Sequence, residues 1–143
     1  MKYRVRQAGF SLIEIMVVVV ILGILAALVV PKIVSRPDEA RAVKAKQDVL
    51  AIQNGLDLYK LDNGFYPSTN QGLDALVKKP TSEPVPQNWK QILKSVPVDP
   101  WGHDYQYLNP GQHGDVDVFT YGANNQPGGT GINAEIGNWQ DPK

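Results

Sequence analysis

The distribution of apolar positions changes character twice along the chain. From Phe10 to Val30 nearly every residue is apolar, a run of 21 residues interrupted by one ionisable side chain, Glu14. At about 1.5 Å rise per residue a helix of that length spans roughly 31 Å, enough for a bilayer core. Beyond Ser35 the apolar residues become periodic: Ala45, Val49, Ile52, Leu56 and Tyr59 follow a 4,3,4,3 spacing that puts them on one helical face. This predicts an amphipathic stem over 35–62, with Ser35 as N-cap, Pro37 in the first turn, and Asp38 and Glu39 at the positive dipole end. Pro31 and Pro37 mark places where a long helix could loosen or kink. Asn63-Gly64 is a turn pair, after which a short helix is expected over 72–79, stopped by Pro80. The proline-punctuated stretch PTSEPVPQNWKQILKSVPVDP is expected to wrap the surface, pinned to the stem by Trp89 and Ile92. Tyr105 to Leu108 and Val116 to Tyr121 are strand candidates around NPGQHG, a hairpin-type connection. The chain ends in a glycine-rich loop with Trp139 as its anchor.

Composition narrows the functional classes. Lys and Arg total 14 against 14 Asp and Glu, and no basic stripe interleaved with aromatics follows, so nucleic acid is not an expected partner. The absence of cysteine excludes disulfides, thiolate zinc and a cysteine nucleophile. Lys2, Arg4 and Arg6 precede the apolar run with no acid among the first nine residues, which places a short N-terminus in the cytoplasm and the bulk of the chain outside. Lys32, Arg36, Arg41, Lys44 and Lys46 follow the run and weaken that asymmetry. An ordinary secretory signal fits poorly, because the run is long for an h-region and Ala26-Ala27-Leu28 leads into more apolar residues rather than a polar mature start.

Candidate enzyme chemistry is sparse. His103 and His113 lack any metal-ligand helix spacing, there is no GxSxG serine, and both histidines are expected to be solvated loop residues. Asp115 and Asp117 share one face of a strand, which a solvated sheet face explains without acid–base catalysis. QPGGTG lacks the Lys-Ser/Thr of a P-loop and opens no helix.

Glu14 remains, since a lone carboxylate in hydrocarbon costs about 2.5–3.5 kcal/mol at a helix centre on insertion scales. The stretch QAGFSLIE around it resembles the class III signal of type IV pilin-like proteins. The resemblance narrows to the major pseudopilins of type II secretion through YKLDNGFYPSTNQGLDALVKKP, VDPWGHDYQYLNPGQHGDVDVFTYGAN and IGNW. It implies an α+β, type IV pilin-like fold: a long N-terminal helix packed on a small antiparallel sheet with a C-terminal loop. It also implies four regions: a leader over 1–9 that is removed, a transmembrane and filament-core helix over 10–30, a stem over 31–62, and a globular periplasmic domain over 63–143. By the same resemblance, prepilin peptidase cuts between Gly9 and Phe10, Phe10 becomes N-methylated, and Glu14 meets the Phe10 amine of a neighbouring subunit. Paired charges would offset the burial cost of each.

The implied function is structural: a homopolymer drawn from the inner membrane by an assembly platform, acting with minor pseudopilins and a secretin to export folded proteins. A type IV pilin or competence pseudopilin is the rival within the same superfamily, and a periplasmic enzyme or ligand-binding module is the rival from outside it. The resemblance further implies calcium in the C-terminal loop, with ligands at the Tyr121 carbonyl, the Asn124 side chain, the Gln126 carbonyl, Thr130, Asn133 and Glu135. Asn124 and Asn133 stand where the family pattern has aspartates, which lowers the site's charge and so its expected affinity.

Overall fold

The computed structural model describes residues 9–140, with 28–36 described as helix backbone only. Element order is α1 (Leu12–Asn63), β1 (Gln106–Leu108), β2 (Asp117–Thr120) and β3 (Ile136–Gly137), with single 3-10 turns at Leu73–Leu76 and Gly131–Asn133. The chain separates into two units, Met1–Pro37 and Asp38–Lys143.

In the first unit α1 begins after Ser11, whose hydroxyl and carbonyl both accept the Glu14 N–H, at 3.3 and 3.1 Å. The large apolar side chains from Phe10 to Leu25 are all 48 % exposed or more. The expected span over 10–30 extends past Ala27, where the described side chains of this part of the helix stop. Among the described residues alone, no helix is long and apolar enough to cross a membrane. The basic leader residues Lys2, Arg4 and Arg6 lie outside the described residues.

No second helix starts at Ser35, contrary to the capping pattern there: α1 is assigned without a break across positions 31 and 37. A proline inside a helix costs about 3 kcal/mol. Ending and restarting the helix would strand four carbonyls and four N–H groups and add a new nucleation step, which is worse. The helix does stop at the expected Asn63-Gly64 pair. Gly64 has φ +84° and donates to the Lys60 carbonyl at 2.7 Å, and Asn63 Nδ2 donates back to the Tyr59 carbonyl.

In the second unit the predicted stem face is the core. Ala45, Val49, Ile52, Leu56 and Tyr59 are all buried, and the last four pack with Leu73, Leu76, Tyr105, Tyr107, Val116 and Val118. The sheet is antiparallel in the order β1-β2-β3, with Tyr107 opposite Val118 and Phe119 opposite Gly137. The hairpin is thus as expected, while β3, two residues long, carries no strand pattern that the sequence alone could reveal.

The short helix expected over 72–79 is only the 3-10 turn Leu73–Leu76. Its last carbonyl cannot bond residue 80, a proline without N–H, and instead accepts Ile92 N–H and Leu93 N–H at 2.9 and 3.0 Å. The surface-wrapping segment is thereby tied down. Ile92 does reach the stem, lying where a Cβ on Gly55 would be 3.3 Å away, but Trp89 donates to the Ala75 carbonyl at 2.8 Å and so pins the segment to the 3-10 turn.

Candidate functional site

The residues singled out from sequence fall into two places. At the N-terminal end, Gly9 and Phe10 are exposed and precede the helix; Phe10 is 79 % exposed. Glu14 is exposed at the third helical position, with its own N–H on the Ser11 cap. Ser11-Leu-Ile-Glu14 is a capping-box sequence, S-x-x-E, a signal for the helix start that the sequence itself carries. A cap at Ser11 fixes where the helix starts relative to Phe10, and so how far Glu14 sits from Phe10.

At the other end, β2 leads into the loop 121–135. Thr120 Oγ donates to buried Asp99 at 2.5 Å and accepts Gly122 N–H at 3.1 Å, which holds the loop's entry. Asp99 is itself held by Trp101 N–H and His103 N–H, at 3.0 and 2.8 Å. Gly122, at φ +79°, lies so close to the 132–134 backbone that a Cβ would be 2.7 Å from the Ile132 carbonyl and 2.8 Å from that of Ala134. Ala123 N–H donates to the Ile132 carbonyl at 2.9 Å. The loop's two arms are therefore in contact.

Of the expected ligands, Tyr121, Asn133 and Glu135 are half-buried, while Asn124, Gln126 and Thr130 are exposed. Glu135 reaches across the loop to accept Gly128 N–H at 3.2 Å, whereas Asn124 Oδ1 turns to Gln126 N–H on its own side, at 3.3 Å. Among the described residues no three His, Asp or Glu side chains gather as a metal cluster. The donor set is instead one carboxylate with amide, hydroxyl and carbonyl oxygens on a loop already closed by its own hydrogen bonds. That is chemistry suited to a hard cation of low charge demand.

Two expectations about polar residues need correction. Asp117 does not lie on a solvated face: it is 1 % exposed on the central strand, and its carboxylate accepts Gln112 N–H at 2.8 Å and His113 Nδ1 at 2.9 Å. Burial pushes its pKa up, but the bonds from the His113 ring and the two loop N–H groups outweigh this and hold it below the ordinary 3.8. Only Asp115 is exposed, paired with Lys60 at 3.1 Å. The histidines are not merely solvated either. His113, though exposed, stacks on Trp139 with ring centroids 3.8 Å apart, and half-buried His103 lies with Nδ1 3.5 Å from Asp99. Neither contact follows from sequence spacing: His103 meets Asp99 across a tight turn, and His113 on the β1–β2 loop meets Trp139 only because β3 pairs with β2.

Comparison with known proteins separates the secretion reading from its rivals. Residues 32–139 match the family model for type II secretion system protein G, and residues 4–30 match the prokaryotic N-terminal methylation motif. The chain belongs to the type II secretion protein G family. It is 60 % identical to the type II secretion system core protein G of Pseudomonas aeruginosa, over 96 % of this chain and 99 % of that one. To the corresponding Vibrio cholerae protein it is 55 % identical, over 97 % and 96 %. The crystal structure of the major pseudopilin from the type 2 secretion system of enterohaemorrhagic Escherichia coli is 46 % identical and superposes with a TM-score of 0.67, covering 78 % of this chain and 96 % of that chain. As a protein G family member the chain is a major pseudopilin with a pilin-like fold: a structural subunit, not an enzyme.

Proposed function

We propose that this pseudopilin rests in the inner membrane through residues 10–30 and polymerises there into the periplasmic filament that drives folded proteins across the outer membrane. The observation that carries this reading is the uniform exposure of the first unit's apolar side chains, none less than 48 % from Phe10 to Leu25, beside a single carboxylate. Such a surface needs lipid or neighbouring subunits to cover it. Cleavage between Gly9 and Phe10 by prepilin peptidase, followed by N-methylation, would leave 134 residues (143 minus 9) with a cationic amine at Phe10. Glu14 of one subunit would then pair with that amine in the next. Minor pseudopilins, the inner-membrane assembly platform and the secretin-associated machinery are the further partners.

The discriminating experiment is Glu14→Leu in the native host. Membrane insertion should persist, since the change removes a polar penalty, while filaments and secretion are lost for want of the pairing. Normal assembly and secretion by this variant would refute the pairing.

Calcium is the proposed ligand of the loop 121–135. The Tyr121 and Gln126 carbonyls, Asn124, Thr130, Asn133 and Glu135 would hold it, and it would supply a fixed positive centre tying the two arms together. A ligand bound only by the folded state raises the melting midpoint. A midpoint that stays the same in millimolar calcium and in chelator rules the site out.

A further inference from the structure

The C-terminal segment after β3 is fastened to the rest of the second unit at two neighbouring points. Asn138 makes the permanent one. Its Nδ2 donates to Gln53 Oε1 on α1 at 2.7 Å and to the Val116 carbonyl at 2.9 Å, and its Oδ1 accepts Val118 N–H at 3.1 Å. This amide has no proton to gain or lose near neutrality. Trp139 makes the other. One face of its indole carries the His113 ring at 3.8 Å and 13°, and the same imidazole bonds buried Asp117 through Nδ1 at 2.9 Å. Gly137 leaves room for the indole, since any Cβ there would overlap the Trp139 ring. Gly111 does the same for the carboxylate, because a Cβ would lie 2.6 Å from Asp117 Oδ1.

We propose that His113 is a proton-responsive clasp that closes the C-terminal segment 136–140 onto the β1–β2 loop, tighter when the imidazole is protonated. In the neutral Nδ1–H tautomer the ring still donates to Asp117 and still stacks. Protonation at Nε2 leaves both contacts in place and adds a positive charge, which faces a carboxylate on one side and an indole π-face on the other. The other titratable or charged groups described around this cleft are Asp115 on the loop, Asp57 and Lys60 on α1, and Tyr66 just beyond α1. Asp115 on the loop is engaged by Lys60 at 3.1 Å, and beyond the end of α1 the Tyr66 hydroxyl donates to Asp57 at 2.8 Å. Each is already paired, so the charge on His113 acts chiefly on Asp117 and Trp139. Residues 136–140 contribute no ionisable side chain of their own. Because β3 is the exit of the loop 121–135, the clasp sets how firmly that exit is held as the proton concentration around the domain changes.

The test is amide hydrogen exchange by NMR on the full chain in detergent micelles, read as protection factors at pH 5.5 and 8. The Asn138 and Gln140 amides, which donate to the Val118 and Gly137 carbonyls, report on the segment. Helix amides at Ile52 and Leu56 serve as the reference. On going from pH 8 to 5.5, protection of the reporters should rise about three- to tenfold over the reference, the size expected of an exposed cation–π contact plus a charge-assisted bond. His113→Phe keeps a ring to stack but carries no proton, and His113→Gln removes ring and charge together. In both variants the reporter protection should be the same at the two pH values. A wild-type ratio that does not change with pH overturns the proposal, as does a pH response surviving in either variant, which would assign it to His103 or a carboxylate.

Discussion

Residues 12–27 and 38–63 belong to one helix, α1, yet they place their apolar side chains in opposite ways. In the first stretch apolar residues occur on every side, and all the large ones stand exposed. In the second they recur every three or four residues, and Ala45, Val49, Ile52, Leu56 and Tyr59 are each 2 % exposed or less. Periodicity is what lets a chain bury its own apolar surface, since a sheet can cover only one side of a helix. Uniform hydrophobicity delegates that burial to something outside the subunit. Periodicity serves a folded domain, and uniform hydrophobicity serves the membrane residence and assembly proposed above. The lone carboxylate in the first stretch has the same logic as its apolar neighbours: it lacks a side-chain partner among the described residues of its own unit, and the proposed pairing supplies one from the next subunit.

The sharpest way to break this comparison is to make the same substitution on both sides of it. Leu56 is fully buried among Ile52, Leu76 and the sheet residues, so Leu56→Ala should destabilise the globular unit by about 2–5 kcal/mol through lost burial and a residual cavity. Leu22 is 59 % exposed, and Leu22→Ala should leave the thermal unfolding of that unit unchanged while weakening association between subunits. Near-ultraviolet circular dichroism of the full chain in micelles follows the unfolding of Tyr and Trp packing, nearly all of which lies in the second unit. Equal losses from the two substitutions would show that the stretches are not energetically separate.

Much of this division was legible beforehand, and the reasons are specific. The 4,3,4,3 spacing identified all five stem residues of the core, because a helix buried on one face leaves a period that composition does not blur. The hairpin was legible because NPGQHG is rich in turn formers between apolar runs. Ser35-Arg-Pro-Asp misled, since capping residues describe a local preference that an already propagating helix overrides. β3 was not legible: Ile136-Gly137 is too short for alternation, and it is placed by Asn138 bonding to β2 rather than by propensity. The burial of Asp117 was also hidden, because an alternating strand that becomes central is covered on both sides, a fact of sheet order rather than of sequence.

Asn138 offers an intermediate test, because it couples the last strand to the periodic half of α1. Its side chain makes three hydrogen bonds, to Gln53, Val116 and Val118. Asn138→Ala leaves the Val118 N–H and the Val116 carbonyl short of a partner, and a loss of about 1–3 kcal/mol is expected. Chemical denaturation should show an earlier midpoint with little change in slope. A double-mutant cycle with Gln53→Ala separates the α1 bond from the two strand bonds, and strict additivity would mean that the C-terminal segment does not lean on the stem at all.

The smallest expected effect concerns acid. Asp117 is buried on β2, where desolvation alone would raise its pKa; the His113 ring and the N–H groups of Gln112 and His113 reverse this and hold it below 3.8. A carboxyl depressed in the folded state takes up protons more readily when unfolded. Its contribution to stability is therefore complete above the unfolded value and disappears as the pH falls through the folded one. Asp117→Asn has no such charge to lose and should melt at a lower temperature than the parent at pH 6. The gap between the two midpoints should then close steadily below about pH 3.8. If the two midpoints fall in parallel between pH 6 and 2.5, the anchoring bonds seen at Asp117 do not favour its ionised form, and the acid sensitivity of the domain originates in its exposed ion pairs instead.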